Sequence, residues 1–525
     1  MYEWWQRGVV YQIYPRSFQD SNGDGIGDLP GIISRLDYLV DLGIDAVWIC
    51  PIYPSPMADF GYDISDYRNV DPQFGTLADL DRLIAELHRR NLKLILDFVP
   101  NHTSSEHPWF QASRRSRHDP KRDWYIWRDA KDDGQPPNNW LSEFGGSAWT
   151  WDEDTRQFYY HAFLAQQPDL NWRNPRVREA MFDVMRFWLA RGVDGYRVDA
   201  IHLLVENESL PDNPPNPDWH AGMSPARRLL RMHTADLPDT HALIPEMRKI
   251  ADEFTARVLI GEASVPVERL KHYYGQALEG FQLPFNFHLM RTPFEALPIA
   301  SLIRRYEAAL PPGGWPNWVL GNHDRSRLRS RLGGAAQSRL AAVLLLTLRG
   351  TPTLYYGEEI GMGDVVVESD AVRDPWERNV PGLGLGRDPC RTPMRWSAAA
   401  GAGFTSGVPW LPIGGNLDER NVATQRDDPS SFLSLYRNLL ALRRAEPALH
   451  VGEYREVWVD EQCLVYERTQ DARRLLVALN FSDTSCPLPA QEPLRACLST
   501  HAPVRTAEQK STLLPFEGII LEPCN

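Results

Sequence analysis

Four stretches of this chain end in side chains able to handle protons and charge. Asp97-Phe98-Val99-Pro100-Asn101-His102, Tyr196-Arg197-Val198-Asp199, Ile260-Gly261-Glu262-Ala263-Ser264 and Asn322-His323-Asp324 each bring a carboxylate, a histidine or both to the end of an apolar run. Arg197 stands two residues before Asp199, on the same side of a strand's pleat, and so can hold that carboxylate ionised and oriented. Carboxyl groups gathered this way suit a reaction in which one gives a proton to a leaving group and another meets the cationic centre left behind. Any one of them alone would more often cap a helix or sit in an ion pair. Four stretches ending alike point to a single site.

The elements that must position these residues follow from the hydrophobic pattern. Apolar runs at Val9–Tyr14, Ala46–Cys50, Leu92–Val99, Val193–Ala200, Arg257–Ala263, Trp318–Asp324 and Thr351–Gly357 alternate with stretches of helical periodicity such as TLADLDRLIAELHRR and VREAMFDVMRFWLARG. That alternation predicts a parallel sheet covered by helices. About eight such units point to an α/β fold of the closed (β/α)8, or TIM, barrel kind, whose active sites lie at the C-terminal ends of the strands. Residues 1–103 would form the first part of the barrel and 171–452 the second. Residues 104–170, rich in Trp, Asp, Pro and Asn, read as a small domain inserted after strand three. A second long excursion covers about 360–428, after strand eight. From Glu453 the pattern becomes alternating, which predicts an antiparallel β domain over 453–525.

Composition narrows the function classes. A chain of 525 residues with 43% hydrophobic content builds a large packed core and is not disordered. The formal charge of −13, without a basic face, argues against nucleic acid and anionic membranes as partners and favours a neutral small molecule. No apolar run is long enough to span a bilayer, and MYEWWQRGVVYQIYP lacks the pattern of a signal peptide. Cys50, Cys463, Cys486, Cys497 and Cys524 show no CxxC spacing, so reduced structural cysteines in a cytoplasmic protein are expected. Trp109, Trp124, Trp127, Trp140, Trp149 and Trp151 fall in polar stretches and suggest surfaces on which sugar rings stack.

In DFVPNH, GYRVDAIH, IGEAS and NHD the chain resembles the α-amylase superfamily, glycoside hydrolase family 13, and the likeness runs over essentially its whole length. WWQRGVVYQIYPRSF, ADFGYDISDY and GRDPCRTPMRW resemble the α-glucosidase and oligo-1,6-glucosidase branch. The resemblance implies that Asp199 is the nucleophile, Glu262 the acid/base and Asp324 the carboxylate that stabilises the transition state. It also implies that His102 and His323 donate hydrogen bonds to the same glucose. Two carboxyl groups about 5–5.5 Å apart then cleave with retention through a covalent intermediate. Tyr62 resembles the aromatic platform under the terminal glucose. Asp59 with Arg387 resembles the pair that clamps its non-reducing hydroxyls, which implies an exo-acting enzyme on short α-glucosides. Ala200, just after the nucleophile, stands where this branch carries Val in α-1,6 enzymes and Ala or Thr in α-1,4 enzymes, so maltose-type bonds are expected.

Asp20-Ser21-Asn22-Gly23-Asp24-Gly25-Ile26-Gly27-Asp28 sets oxygen ligands at alternate positions and matches the first seven positions of an EF-hand loop, with Ile26 offering its carbonyl. Gly31 stands where the closing Glu would be, so the loop is not an EF-hand. The resemblance implies structural Ca²⁺ (or Mg²⁺) held by Asp20, Asn22, Asp24, Ile26 and Asp28, with no organic cofactor. Transglucosylation to alcohol or phenol acceptors and sucrose hydrolysis or isomerisation use the same residues and remain open beside hydrolysis, as does an oligo-1,6-glucosidase activity. A non-catalytic sugar-binding or transporter-subunit homologue would want a lost carboxylate. A monomer or homodimer is expected.

Overall fold

A computed structural model describes residues 2–285, 287–489, 493–501 and 512–524. Eight parallel strands carry the core: β1 Val10–Ile13, β2 Ala46–Ile49, β3 Lys93–Phe98, β4 Gly195–Val198, β5 Val258–Glu262, β6 Leu283–Phe285, β7 Asn317–Val319 and β8 Thr351–Tyr355. They pair in the order β7-β8-β1-β2-β3-β4-β5-β6, with β8 beside β1 through Val10 and Thr353. The chain order thus wraps round into the expected α/β barrel, nearly closed between β6 and β7. Strand six has no counterpart among the apolar runs of the sequence. It is three residues long and includes Pro284, too short to display a period. Strand seven stops at Val319, earlier than its apolar run, so Asn322, His323 and Asp324 stand on the loop beyond it.

The outer helices show why the sequence folds this way. Helix α1, Leu77–Arg89, starts from a capping box between Thr76 and Asp79 and buries Leu80, Leu83, Ile84 and Leu87, spaced as one helical face. Helix α2, Pro175–Arg191, begins with an Asn174 cap and a proline in its first turn, and ends at Gly192 with φ 111°. Helix α3, Ala335–Thr347, is apolar nearly all round from Leu340 onward because that half is covered on all sides, Leu344, Leu345 and Leu346 being fully buried. It packs between the barrel and the C-terminal sheet, where Thr347 Oγ1 meets the Tyr466 hydroxyl at 2.5 Å.

The insertion between β3 and β4 holds a three-stranded antiparallel sheet formed by Trp127–Arg128, Trp149–Asp152 and Gln157–Tyr160. Its tryptophans overturn the sugar-stacking expectation. Trp124, Trp127, Trp140 and Trp149 are buried, with Trp140 and Trp149 stacked at 6.1 Å and Trp109 edge-on to Trp124 at 4.8 Å. A segment this small has few aliphatic residues, and large aromatic area makes its core. The C-terminal strands β9 Glu453–Val459, β10 Cys463–Gln470, β11 Arg473–Asn480, β12 Leu494–Ser499 and β13 Gly518–Pro523 form an antiparallel sheet in the order β9-β10-β11-β13-β12. Cys463 is bonded to Cys486, which corrects the expectation of wholly reduced cysteines; both lie in the small apolar cluster of this sheet, which brings them together. Cys50, Cys390, Cys497 and Cys524 are free. Among the described residues no helix is long and apolar enough to cross a membrane.

Candidate active site

A barrel of parallel strands aims all its strand ends at one rim, so residues far apart in sequence meet there. Arg197, on β4 and almost fully buried, is the centre of the arrangement. Its Nη1 donates to Asp97 Oδ1 at 2.7 Å and to Asp199 Oδ1 at 2.5 Å, and its Nη2 donates to Glu262 Oε2 at 2.6 Å. The Ala200 backbone N–H also donates to Glu262 Oε2 at 3.0 Å. That bond is possible because Ala200 turns the chain with φ 44°, a left-handed conformation rare for a residue with a side chain. Gly261 lets β5 approach its neighbour: a Cβ there would lie 2.2 Å from the Phe281 ring.

Asp97 was visible as the first residue of DFVPNH but not as a member of the site. It lies beneath the other carboxylates, where Trp48 Nε1 donates to its Oδ2 at 2.9 Å and the Tyr62 hydroxyl at 3.2 Å. Burial pushes its carboxyl up to about 6, with Arg197 pulling the other way. Burial likewise raises the Asp199 carboxyl, Arg197 opposing, while the negative charges of Glu262 and Asp97 add to the rise. One guanidinium thus faces three carboxyl groups, an arrangement that favours a proton held among them.

Asp324 stands opposite. Burial would raise it, but the guanidiniums of Arg387 and Arg391, with the His323 ring 3.4 Å from its Oδ1, hold it well below the usual carboxylate range. Arg391 Nη2 and Arg387 Nη1 lie 3.3 and 3.5 Å from its Oδ1. Burial keeps both histidines neutral, His102 lowered to about 4 and His323 lowered further. His323 Nδ1 meets Gln12 Nε2 at 2.8 Å, and its Nε2 meets the Tyr62 hydroxyl at 2.8 Å, the two rings being parallel. His102 Nε2 reaches the Tyr62 carbonyl at 3.1 Å and the Gln167 amide at 3.0 Å.

Asp59 and Arg387, 328 positions apart, pair at 2.6 Å with both side chains buried. Arg387 is also held by Asp374 through Nη2 at 2.7 Å and Nε at 3.1 and 3.2 Å, and its guanidinium lies 5.1 Å from the Phe144 ring centre. Asp374 caps the helix Pro375–Asn379 and accepts the Arg387 backbone N–H at 2.5 Å. It has no periodic or motif signal of its own, which is why the sequence did not single it out. His202 was missed although it closes the quoted GYRVDAIH; it lines the same pocket and lies within the electrostatic reach of Glu262.

Asp59, Tyr62, His102, Asp199, Glu262, His323, Asp324 and Arg387 all line one pocket of about 660 Å³. Of the site residues singled out in the sequence, Arg197, read there as the residue that orients Asp199 and also set among those for substrate, is not in the lining but underneath it. The aromatic walls are Phe144, Phe163, Phe287 and Trp376 rather than the tryptophans of the three-stranded insertion. The Asp20–Asp28 loop is a separate feature. Asp20 accepts backbone N–H groups from Asn22, Gly23 and Gly25 and the Thr405 hydroxyl, and Asp28 caps the helix that follows through Gly31. Among the described residues no group of three or more His, Cys, Asp or Glu side chains is drawn together as a metal centre. The loop's carboxylate, amide and carbonyl oxygens are nevertheless the hard donors that Ca²⁺ or Mg²⁺ takes.

A barrel with acidic groups on its C-terminal rim and a sugar-sized pocket defines a class of carbohydrate-active enzyme. Residues 12–452 match the model of the alpha amylase catalytic domain, and the chain belongs to that family, glycoside hydrolase family 13. It is 42% identical over 511 residues to a probable alpha-glucosidase of Rhizobium meliloti, with 94% of this chain and 92% of the relative covered. It is 39% identical to an oligo-1,6-glucosidase of Halalkalibacterium halodurans, covering 92% of each. Among solved structures, an α-glucosyl transfer enzyme, XgtA, superposes with a TM-score of 0.92 at 40% identity, over 99% of this chain and all of the other. The chain is therefore a glucosidase or glucosyltransferase of this family.

Proposed function

We propose that the enzyme is an exo-acting, retaining α-glucosidase that releases or transfers the non-reducing terminal glucose of short α-glucosides. The observation that carries this reading is the buried Asp59–Arg387 pair in the wall of the same pocket as Asp199, Glu262 and Asp324. A clamp there binds the last sugar's hydroxyls and leaves no path for a longer chain. Asp324, His102 and His323 supply further polar contacts, with Tyr62 against the ring.

Asp199 Oδ1 is committed to Arg197, so Oδ2 is the oxygen that attacks C1. Glu262 gives its proton to the leaving oxygen and later takes one from water or from an acceptor hydroxyl. Arg197 holds both carboxyl groups on one rigid fork, which keeps them close, as a double displacement requires. The charge of Asp199 rests against Arg197.

Transfer to alcohol or phenol acceptors is supported by the likeness to the α-glucosyl transfer enzyme. Preference for α-1,4 bonds rests on Ala200. A structural Ca²⁺ or Mg²⁺ ion belongs to the loop of Asp20, Asn22, Asp24, Ile26 and Asp28, remote from the chemistry. A cytoplasmic location is part of this reading, supported by the four free thiols. The test of the central reading is proton NMR of maltose cleavage. Early α-glucose is expected, and β-glucose as the first product would overturn the role given to Asp199.

A further inference from the structure

The pocket has a second electrostatic feature, away from the Asp59–Arg387 clamp. Arg227 and Arg231, from the long segment after β4, line it together with Arg291, from the turn after β6, and Arg325, next to Asp324. Arg291 and Arg325 lie 5.2 and 5.7 Å from the centre of one ring, Phe287. Burial pushes Arg291 down to about 10, the charges of Arg325, Arg227 and Arg231 add to that, and the Glu262 carboxylate pulls the other way. These guanidiniums crowd one another.

Among the described residues only one of the four is held in an ion pair. Arg231 pairs with Glu143. Among the described residues Arg227, Arg291 and Arg325 make no ion pair; Arg291 reaches only the Ser264 hydroxyl, at 3.3 Å. The catalytic carboxylates have nearer ion-pair partners, although Glu262 also acts on Arg291 from a distance. Asp199 and Glu262 already have Arg197 at 2.5 and 2.6 Å, and Asp324 has Arg391 and Arg387 at 3.3 and 3.5 Å. Asp218 is the one further carboxylate in the lining on the same segment as Arg227. A neutral sugar needs no such charge. Guanidiniums without an ion pair beside an aromatic wall can bind an anion, and arginine's planar fork matches carboxylate and phosphate.

We propose that the acceptor end of this pocket takes a hydroxyl compound carrying a carboxylate or phosphate, which Arg291 and Arg325 bind beside Phe287. The proposal rests on the glucosidase reading and adds the acceptor's chemical class. In the step itself the acceptor oxygen bonds to C1 of the glucosyl group as the C1–O bond to Asp199 breaks. The electron pair returns to Asp199, and the acceptor's hydroxyl proton goes to the Glu262 carboxylate. The product is a glucoside of the anionic acceptor.

The experiment is a partition measurement on the full chain, with 4-nitrophenyl α-glucoside as donor. Glycerol, glycerate and glycerol phosphate compete in separate runs, and the ratio of glucosylated acceptor to free glucose is read by NMR. At least one anionic acceptor should exceed glycerol about ten-fold, and the gap should shrink as salt is raised from about 0.05 to about 0.5 M. Which anion leads identifies the natural charge. Arg291→Gln, Arg325→Gln and the double variant should bring the ratio for that anion toward the glycerol value. Since the removed charges repel their neighbours, folding should survive, checked by Tm. Equal partition among the three acceptors, or a preference that persists in the double variant, would overturn the proposal and leave the glucosidase intact. Failure to release glucose from any α-glucoside would sink the glucosidase reading as well.

Discussion

Arg197→Lys keeps a positive charge but loses the fork. In the native site one guanidinium makes three charged hydrogen bonds, two from Nη1 to Asp97 and Asp199 and one from Nη2 to Glu262. An ammonium on a lysine stem can stay between Asp97 and Asp199, but it is a point charge and has no second arm for Glu262. Glu262 would then be held by the Ala200 N–H alone. A hydrogen bond to a charged group contributes about 1.5–3 kcal/mol, so kcat/KM should fall roughly 10- to 150-fold at 1.4 kcal/mol per decade. The loss should depend on the leaving group. Maltose, whose leaving sugar needs a proton, should suffer the full effect; 4-nitrophenyl α-glucoside, whose phenol leaves readily, should lose much less. The assay is kcat/KM on both substrates with Tm measured alongside. Equal losses on the two substrates, or a change below about three-fold on maltose, would refute the view that Arg197 positions the acid.

Removing the clamp by Asp59→Ala leaves Arg387 with Asp374, so folding should hold while kcat/KM on maltose drops about 10- to 150-fold, one charged contact being lost; unchanged kinetics would argue against the clamp. Ala200→Val should raise the isomaltose-to-maltose ratio and lower Tm, since Ala200 already bears the left-handed strain at φ 44° and a branched side chain fits that conformation worse than alanine does. His107, buried against Tyr67 and Trp109, is lowered to about 3 by burial, with Lys121 adding to it. Its folded value lies below the unfolded one of about 6.5, so its stabilisation is complete above that pH and is lost as pH falls toward 3. Urea unfolding at successive pH values should show a slope shallower in His107→Gln by up to about 1.4 kcal/mol per pH unit across that window, and parallel slopes would contradict it. Stripping divalent ions with EDTA should lower Tm and Ca²⁺ should restore it, with kcat on maltose little altered; no Tm response would remove the ion from the Asp20–Asp28 loop.

The two kinds of residue in this site differ in how they could be found. Asp199, Glu262 and His102 stand at or just beyond strand ends, and alternating apolar runs announce those ends. Asp324 was legible from its NHD stretch although its strand stops five residues earlier, at Val319. Asp59 and Arg387 became legible only through resemblance, because no spacing relates residues 328 positions apart. Asp374, Gln167 and Gln12 carried no such mark, and a proline-bearing strand of three residues, Leu283–Phe285, gave periodicity nothing to act on.

What the sequence by itself determined is the architecture and the polar residues that its strand ends bring to one pocket. Hydrophobic period specifies strand or helix, and a parallel barrel then sends every strand's C-terminal end to one rim, so a carboxylate at such an end is committed to the site before any packing is known. Tertiary structure decided everything that depends on distance between remote loops. It placed Asp97 beneath the guanidinium of Arg197, turned the tryptophans of the three-stranded insertion into that segment's core, brought Cys463 to Cys486 and set Arg291 and Arg325 around Phe287. Loop residues obey no period, and their neighbours are chosen only when the whole chain has closed on itself.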